Sequence, residues 1–341
     1  MKVLPQVTVP YVRLLYNFWI EQGVPQDVLD DLLKVNLAED DLVDFSLSSD
    51  QLFKLHKAAI AYTQDTSLGI KLGLHLADKN LVISKLVLTA PTLQDSVQAL
   101  ITYSSLISES GYFQYLPQFN HHQPATEYTL SFVAHSGNSI SSYQLDMVFA
   151  VVIAWFKHIL PNNSAELIYH SSVEELNSPK YSDLLGCEVK AAKDTYLLIP
   201  EKLLQHKNVL SCFNTHQQEL KKLQRLLKRR QENLVWYKKV QTAVENCLNN
   251  SSCLTNQECV ADSLNLSVRN MQRKLKKLGI NYQTILDEQR KTLALKLLQE
   301  NTATLSEISD IVGFTEPSAF YKAFRRWTGK RPGQYRPDSD G

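Results

Sequence analysis

No apolar run in this 341-residue chain reaches the ~20 residues that a membrane-spanning helix needs; the longest lies between Met147 and Phe156. Cysteines are few and odd in number: Cys187, Cys212, Cys247, Cys253 and Cys259, with no Cys-x-x-Cys spacing. That usage argues against a disulfide framework or a zinc ribbon. Cys247, Cys253 and Cys259 recur every six residues, yet Cys259 falls on the buried side of a helix beside Val260, so all three read as structural thiols. Glycine-rich phosphate loops and the Gly-x-Ser-x-Gly elbow are missing, and Gly69 and Gly73 have only the spacing of a small-residue packing face. Met1-Lys2 is followed by Pro5 and Pro10 rather than by an apolar leader, so the expected setting is reducing and cytoplasmic.

Catalytic and metal constellations are equally scarce. All nine histidines precede Leu220, and the pair His121-His122 has no cysteine or carboxylate at ligand spacing. The carboxylate pairs Asp30-Asp31, Asp40-Asp41 and Glu174-Glu175 are sequence neighbours, which splay about 100° apart on a helix and read as solvated charge. The expectation is a protein with no metal, no cofactor and no catalytic residues. The competing enzyme reading, a catalytic front domain with a DNA anchor behind it, needs a nucleophile or metal cluster, and none is visible.

What the chain does have is an uneven distribution of charge. Residues 1–215 carry 14 Lys and Arg against 22 Asp and Glu, and residues 216–341 carry 22 against 13. A net charge of +1 thus hides an acidic front and a basic rear, and the rear suits a polyanionic partner. The front alternates helix and strand patterns. Pro10 to Gln22, Ser48 to Thr63, Thr92 to Ser110 and Ser139 to Leu160 read as helices, with Thr92 as an N-cap. Tyr112 to Phe119, Glu127 to Ala134, Leu167 to His170 and Glu188 to Ile199 read as strands. This predicts an α+β domain over 1–215. The aromatic residues Tyr103, Tyr112, Phe113, Tyr115, Tyr128 and Phe132 are read as core before pocket.

Past Pro200 the strand pattern stops. Leu220, Leu223, Leu227 and Leu234 make a seam of only about two heptads, so an amphipathic connecting helix over 216–235 is favoured over a dimer zipper. Residues 236–341 form an all-α domain in which one plan occurs twice. In the first copy Thr255 can cap a short helix that buries Val260, Ala261 and Leu264. Asn265 tolerates a left-handed turn, and Ser267 caps a second helix. On that helix Met271, Leu275 and Leu278 share one face, while Arg269, Gln272, Arg273 and Lys276 share the other. Arg can bond guanine and Gln adenine in bidentate fashion, and Lys supplies phosphate charge. In the second copy Gly313 makes the turn, Thr315 is the candidate N-cap and Pro317 sits in the first turn. Phe320, Phe324 and Trp327 face inward there, and Ser318, Tyr321, Lys322 and Arg325 face outward. Between the copies Tyr282 to Glu300 reads as a spacer helix with Ile285, Leu286, Leu293 and Leu297 as its stripe. Such a spacer suits reading helices on successive major-groove faces, about 34 Å apart.

Gly313-Phe314, Pro317-Ser318-x-Phe320, Phe324, Trp327-x-Gly329, Pro332 and Tyr335-Arg336 together resemble the C-terminal signature of AraC/XylS-type transcription regulators. Arg290, Ala294, Leu297 and Leu298 resemble that family's linker helix, and Val260-Ala261 with Ser267 to Leu275 its first helix-turn-helix; the likeness covers about Trp236 to Arg336. The chain departs from the family where Asn265 replaces a turn glycine and Ser309 a small alanine. Carried over residue by residue, the resemblance implies base reading by Arg269, Gln272, Arg273, Ser318, Tyr321 and Lys322. Phosphate contacts are expected at Ser267, Lys276, Thr315 and Arg325. Pro317 stands where some members place a polar reader, which puts more weight on the first helix. Thr66 to Gly73, Leu88 to Ser96 and Tyr181 to Val189 resemble the effector-binding and dimerisation domain of one AraC-type subgroup. The implied partners are double-stranded DNA, the transcription machinery, a small-molecule effector and a second copy of the chain, with no membrane. A front domain that only pairs subunits is the alternative. Effector, effector-binding residues, target sequence and direction of regulation are not legible.

Overall fold

The computed structural model describes residues 9–33, 49–107, 110–118, 126–135, 140–176, 179–249 and 257–336. His121-His122, Asp40-Asp41, Cys253 and Thr255 fall outside them. The chain divides into two compact units between Lys228 and Arg229.

The first unit is α+β. Helices α1 (Val9–Glu21), α2 (Gln26–Leu33), α3 (Ser49–Thr63), α4 (Leu68–Ala77), α5 (Ser84–Leu88) and α6 (Leu93–Tyr103) precede the first two strands, β1 (Gly111–Gln118) and β2 (Glu127–Ala134). Then come α7 (Ser142–Ile159), β3 (Ile168–Ser171), α8 (Pro179–Leu185), β4 (Glu188–Ala191), β5 (Tyr196–Pro200) and α9 (Glu201–Leu204). The five strands lie in the order β1-β2-β5-β3-β4. All neighbours are antiparallel except β3 and β4, which are parallel and joined through α8. The single run expected over Glu188 to Ile199 is two strands.

Local chemistry accounts for the boundaries. Thr92 caps α6 through a reciprocal box with Asp95, and Ser141 caps α7 through one with Gln144, each satisfying orphan N–H groups of a first turn. Helix α7 is apolar on most of its circumference and is buried to match, with Phe149, Ala150, Ile153 and Phe156 fully enclosed. It packs along α4. A Cβ on Gly69 would stand 2.3 Å from the Tyr143 carbonyl oxygen, and one on Gly73 2.3 Å from that of Met147, so only glycine permits this approach.

One polar network sits inside this core. Tyr169 Oη and Ser171 Oγ, both on β3, donate to Asp146 Oδ1 of α7 at 2.5 and 2.9 Å. Burial pushes the Asp146 carboxyl up to about 6 even though these bonds pull the other way.

Helix α10 (Phe213–Asn249) is longer than the connecting helix expected over 216–235 and runs through the division between the units. Leu223 is fully buried in the core of the first unit, with Leu220 and Leu227 packed against it. Leu220, Leu223 and Leu227 of the seam are therefore used within the first unit. The second unit continues with α11 (Gln257–Ser263), α12 (Val268–Lys277), α13 (Tyr282–Glu300), α14 (Leu305–Ile311), α15 (Pro317–Thr328) and a short 3₁₀ turn, Pro332–Tyr335. Among the described residues no helix is long and apolar enough to cross a membrane.

Candidate nucleic-acid interface

The pairs α11–α12 and α14–α15 are two helix-turn-helix units, built on the same backbone device. In the first turn Asn265 N–H donates to Asp262 O at 2.9 Å and Leu266 N–H to Ala261 O at 2.9 Å. In the second, Gly313 N–H donates to Asp310 O and Phe314 N–H to Ser309 O, both at 3.0 Å. Asn265 has φ +53° and Gly313 φ +82°, so each turn passes through the left-handed region that asparagine and glycine tolerate best. Up to this point equivalent residues are 48 positions apart, as Asn265 is from Gly313.

The register then slips by one. Ser267 caps α12, its Oγ accepting from Asn270 N at 3.3 Å. Its counterpart is Glu316, not Thr315: α15 starts at Pro317 after Glu316 in extended conformation, and no side chain caps it. The N-cap expected at Thr315 is corrected accordingly, because Pro317, with its fixed φ and missing N–H, takes the first helical position. From there the spacing is 49. Buried Met271 and Leu275 correspond to buried Phe320 and Phe324. On the outer faces Arg269, Gln272, Arg273 and Lys276 correspond to Ser318, Tyr321, Lys322 and Arg325. All eight are exposed, as are Ser267 and Thr315.

The two faces differ in charge. Helix α12 has Arg269, Arg273, Lys274, Lys276 and Lys277 and no acidic residue. Lys274 Nζ lies 5.4 Å from the centre of the Trp236 ring on α10, and Gln272 Nε2 donates to Gln257 Oε1 at 2.5 Å. At the start of α15, Ser318 Oγ donates to the Glu316 carboxylate at 3.3 Å, so an anion stands where the helix dipole would otherwise draw a phosphate.

Helix α13 holds both units. Tyr282, Ile285 and Leu286 are buried in its first half, and Glu288 accepts from Tyr237 Oη of α10 at 3.3 Å. In its second half Ala294 and Leu298 join one apolar cluster with Ile308, Val312, Phe320 and Phe324. The expected stripe positions Leu293 and Leu297 are only partly buried against that cluster, a rotation of one residue. Arg290 Nη2 donates to Gly313 O at 2.7 Å while its guanidinium lies 4.6 Å from the Phe314 ring centre, so the spacer grips the second turn. Lys291 Nζ donates to Trp327 O at 3.1 Å, and Arg326 pairs with Asp287 at 2.8 Å. The sequence pattern showed none of these cross-helix ties; Arg290 entered only as a family likeness.

The thiol reading holds only in part. Cys259 is disulfide-bonded, which corrects the expectation of a structural thiol there. Cys247 is a free cysteine with its Sγ 3.4 Å from Cys259 Sγ. Among the described residues no three His, Cys, Asp or Glu side chains gather as a metal site.

Two helix-turn-helix units on one spacer, behind an α+β unit, define a double helix-turn-helix protein with a separate front domain. Comparison with known proteins gives this architecture a family. Residues 27–208 match the arabinose-binding domain of AraC transcription regulators, and residues 260–338 match a helix-turn-helix domain family. The chain belongs to the AraC family of transcription regulators. The ornithine utilization regulator of Pseudomonas aeruginosa is 46% identical over 79 residues, 23% of each chain. The regulator VqsM of the same organism is 38% identical over 76 residues, 22% of this chain and 23% of that one. These matches thus span less than a quarter of the curated relatives' length. The crystal structure of the transcriptional regulator CdpR, also from Pseudomonas aeruginosa, aligns over 97% of this chain and 98% of that chain at 19% identity, with a TM-score of 0.43.

Proposed function

We propose that this chain is a sequence-specific DNA-binding transcription regulator whose front domain answers a small effector. The observation that carries the proposal is the constant 49-residue spacing between two exposed helix faces, Arg269, Gln272, Arg273 and Lys276 on α12 and Ser318, Tyr321, Lys322 and Arg325 on α15. Each face backs onto a buried apolar one, which turns its polar side chains outward, toward a groove. Arg269, Gln272 and Arg273 read base edges; Lys276, Arg325, Ser267 and Thr315 contact phosphates. Ser318, Tyr321 and Lys322 read less, because Glu316 repels the backbone beside them. The functional division is an effector and pairing domain over 1–215, a connector over 216–235 and the DNA-binding domain over 236–341. An effector that binds one arrangement of the front domain better shifts the population of DNA-competent dimers that engage the transcription machinery.

Selection of bound sequences from random duplexes tests this reading directly. Two half-site contacts per chain are expected, with affinity falling steeply as salt rises. Lys276→Ala should weaken all duplexes alike and lower the salt slope by about one. Selection that returns no preferred sequence overturns the proposal.

A further inference from the structure

The first unit contains a partly open cavity with about 820 Å³ of unfilled space, mouth included, against α7. Leu100, Phe113, Met147, Val151, Val152 and Trp155 dominate its wall. The polar members are Ser104, Ser110 and Gln144, and no charged side chain lines it among the described residues. Phe113 and Phe132, read from sequence as core, both face it, whereas Tyr103, Tyr112, Tyr115 and Tyr128 do not.

Gln144 is the informative residue. It is 6% exposed and occupies the third position of α7. Its Oε1 accepts from Ser141 N at 2.9 Å and Ser141 Oγ at 3.3 Å, closing the capping box. Those bonds fix the amide plane and leave Nε2 without a partner among the described residues. Gln144 lines the cavity, and Nε2, which takes no part in the capping box, is the donor it can offer to the carbonyl of an occupant. An upper bound of about 820 Å³, mouth included, confines the occupant to the size of a small molecule.

Charge and hydroxyl count limit it further. Among the described lining residues a carboxylate or ammonium would find no counter-charge, and a sugar would turn most of its hydroxyls toward hydrocarbon. We infer that this cavity binds a small neutral molecule, mostly aliphatic or aromatic, carrying one carbonyl acceptor that the Gln144 amide engages. The inference rests on the effector reading above and narrows it to one chemical class. It also runs against what the sugar-binding description of the matched domain family suggests.

The test titrates the full chain with hexanamide, following calorimetric heat and the tryptophan fluorescence to which Trp155 contributes, with hexanoate, L-arabinose and L-ornithine as comparisons. Hexanamide has about eight non-hydrogen atoms, enough for saturable one-per-chain binding at or below about 1 mM. The other three should give none. Gln144→Glu keeps a capping acceptor and removes the amide donor but turns a carboxylate toward the cavity, so its helix content is checked by circular dichroism; with that kept, hexanamide affinity should fall about tenfold. Val148→Phe, at the half-buried wall, should abolish binding by filling the space. No saturable hexanamide binding, equal binding of the sugar or either ion, or unchanged affinity in Gln144→Glu overturns the inference. Binding is read without DNA, so hexanamide that binds but leaves duplex affinity unchanged counts against the effector reading while the cavity assignment stands.

Discussion

The two helix-turn-helix units share a backbone turn and differ in almost everything attached to it. The first is held by aliphatic and sulfur-containing side chains, Val260, Met271, Leu275 and Leu278, and its second helix has cations and no acidic residue. The second is pinned by aromatics. Phe314, Phe320, Phe324, Trp327 and Tyr335 stand with ring centres 5.5–5.9 Å apart, and Arg290 clamps its turn. It spends an acidic residue, Glu316, at the point where the first unit has Ser267. A duplicated motif has thus separated two jobs: one copy is rich in reading chemistry, and the other is rich in packing.

The largest expected effect tests the packing half. Phe324→Ala removes a fully buried ring that touches Phe320 and Tyr335, and should cost about 3–5 kcal/mol. Leu275→Ala, its counterpart in the first unit, should cost less, nearer the bottom of the roughly 2–5 kcal/mol range for such truncations. Urea unfolding of the full chain with each substitution decides the matter. If Leu275→Ala lowers the midpoint more, the first unit is the better packed and the contrast is reversed.

Next in size is the reading half. Arg273→Ala should cost about 1–3 kcal/mol on a selected site and relax one base position. Lys322→Ala, 49 residues on, should cost a smaller amount spread over all sequences. Competition binding at fixed salt separates the two. Equal losses of specificity would show that the second helix reads as fully as the first, Glu316 notwithstanding.

Much of this contrast is legible in the sequence, and what is not has identifiable causes. Amphipathic spacing gave α12, α13 and α15, and the caps at Thr92 and Ser267 follow from residue type alone. The one-residue slip before α15 was missed because Thr315 matches Ser267 in chemistry, while the preference of Pro317 for a first helical position acts one residue later. Short helices such as α5 and α8 lack the two turns that make a period visible. The sequence does not reveal the cavity, since a void records how side chains fail to meet across α6, α7 and β1, and no local pattern carries that. The disulfide at Cys259 is hidden from the sequence for a similar reason, since sulfur proximity is a property of the fold.

The turns themselves offer a smaller test. Gly313→Ala forces a Cβ onto φ +82° and should cost about 1–2 kcal/mol, whereas Asn265→Gly, at φ +53°, should change stability by only a few tenths. Thermal melts of the two variants check this, and a costly Asn265→Gly would mean that the asparagine side chain contributes beyond its backbone tolerance.

The smallest effect has the opposite sign. Ala261 and Ser309 occupy the same place, 48 residues apart and both fully buried where the first helix of each unit meets the second. The Ser309 hydroxyl has no hydrogen-bond partner there. Ser309→Ala removes an unsatisfied buried hydroxyl at almost no loss of volume, so it should stabilise the second unit by about 1 kcal/mol. Ala261→Ser should destabilise the first by a similar amount. Should Ser309→Ala instead lower stability, the hydroxyl is satisfied in solution by a bound water, and the helix junction of the second unit is wetter than that of the first.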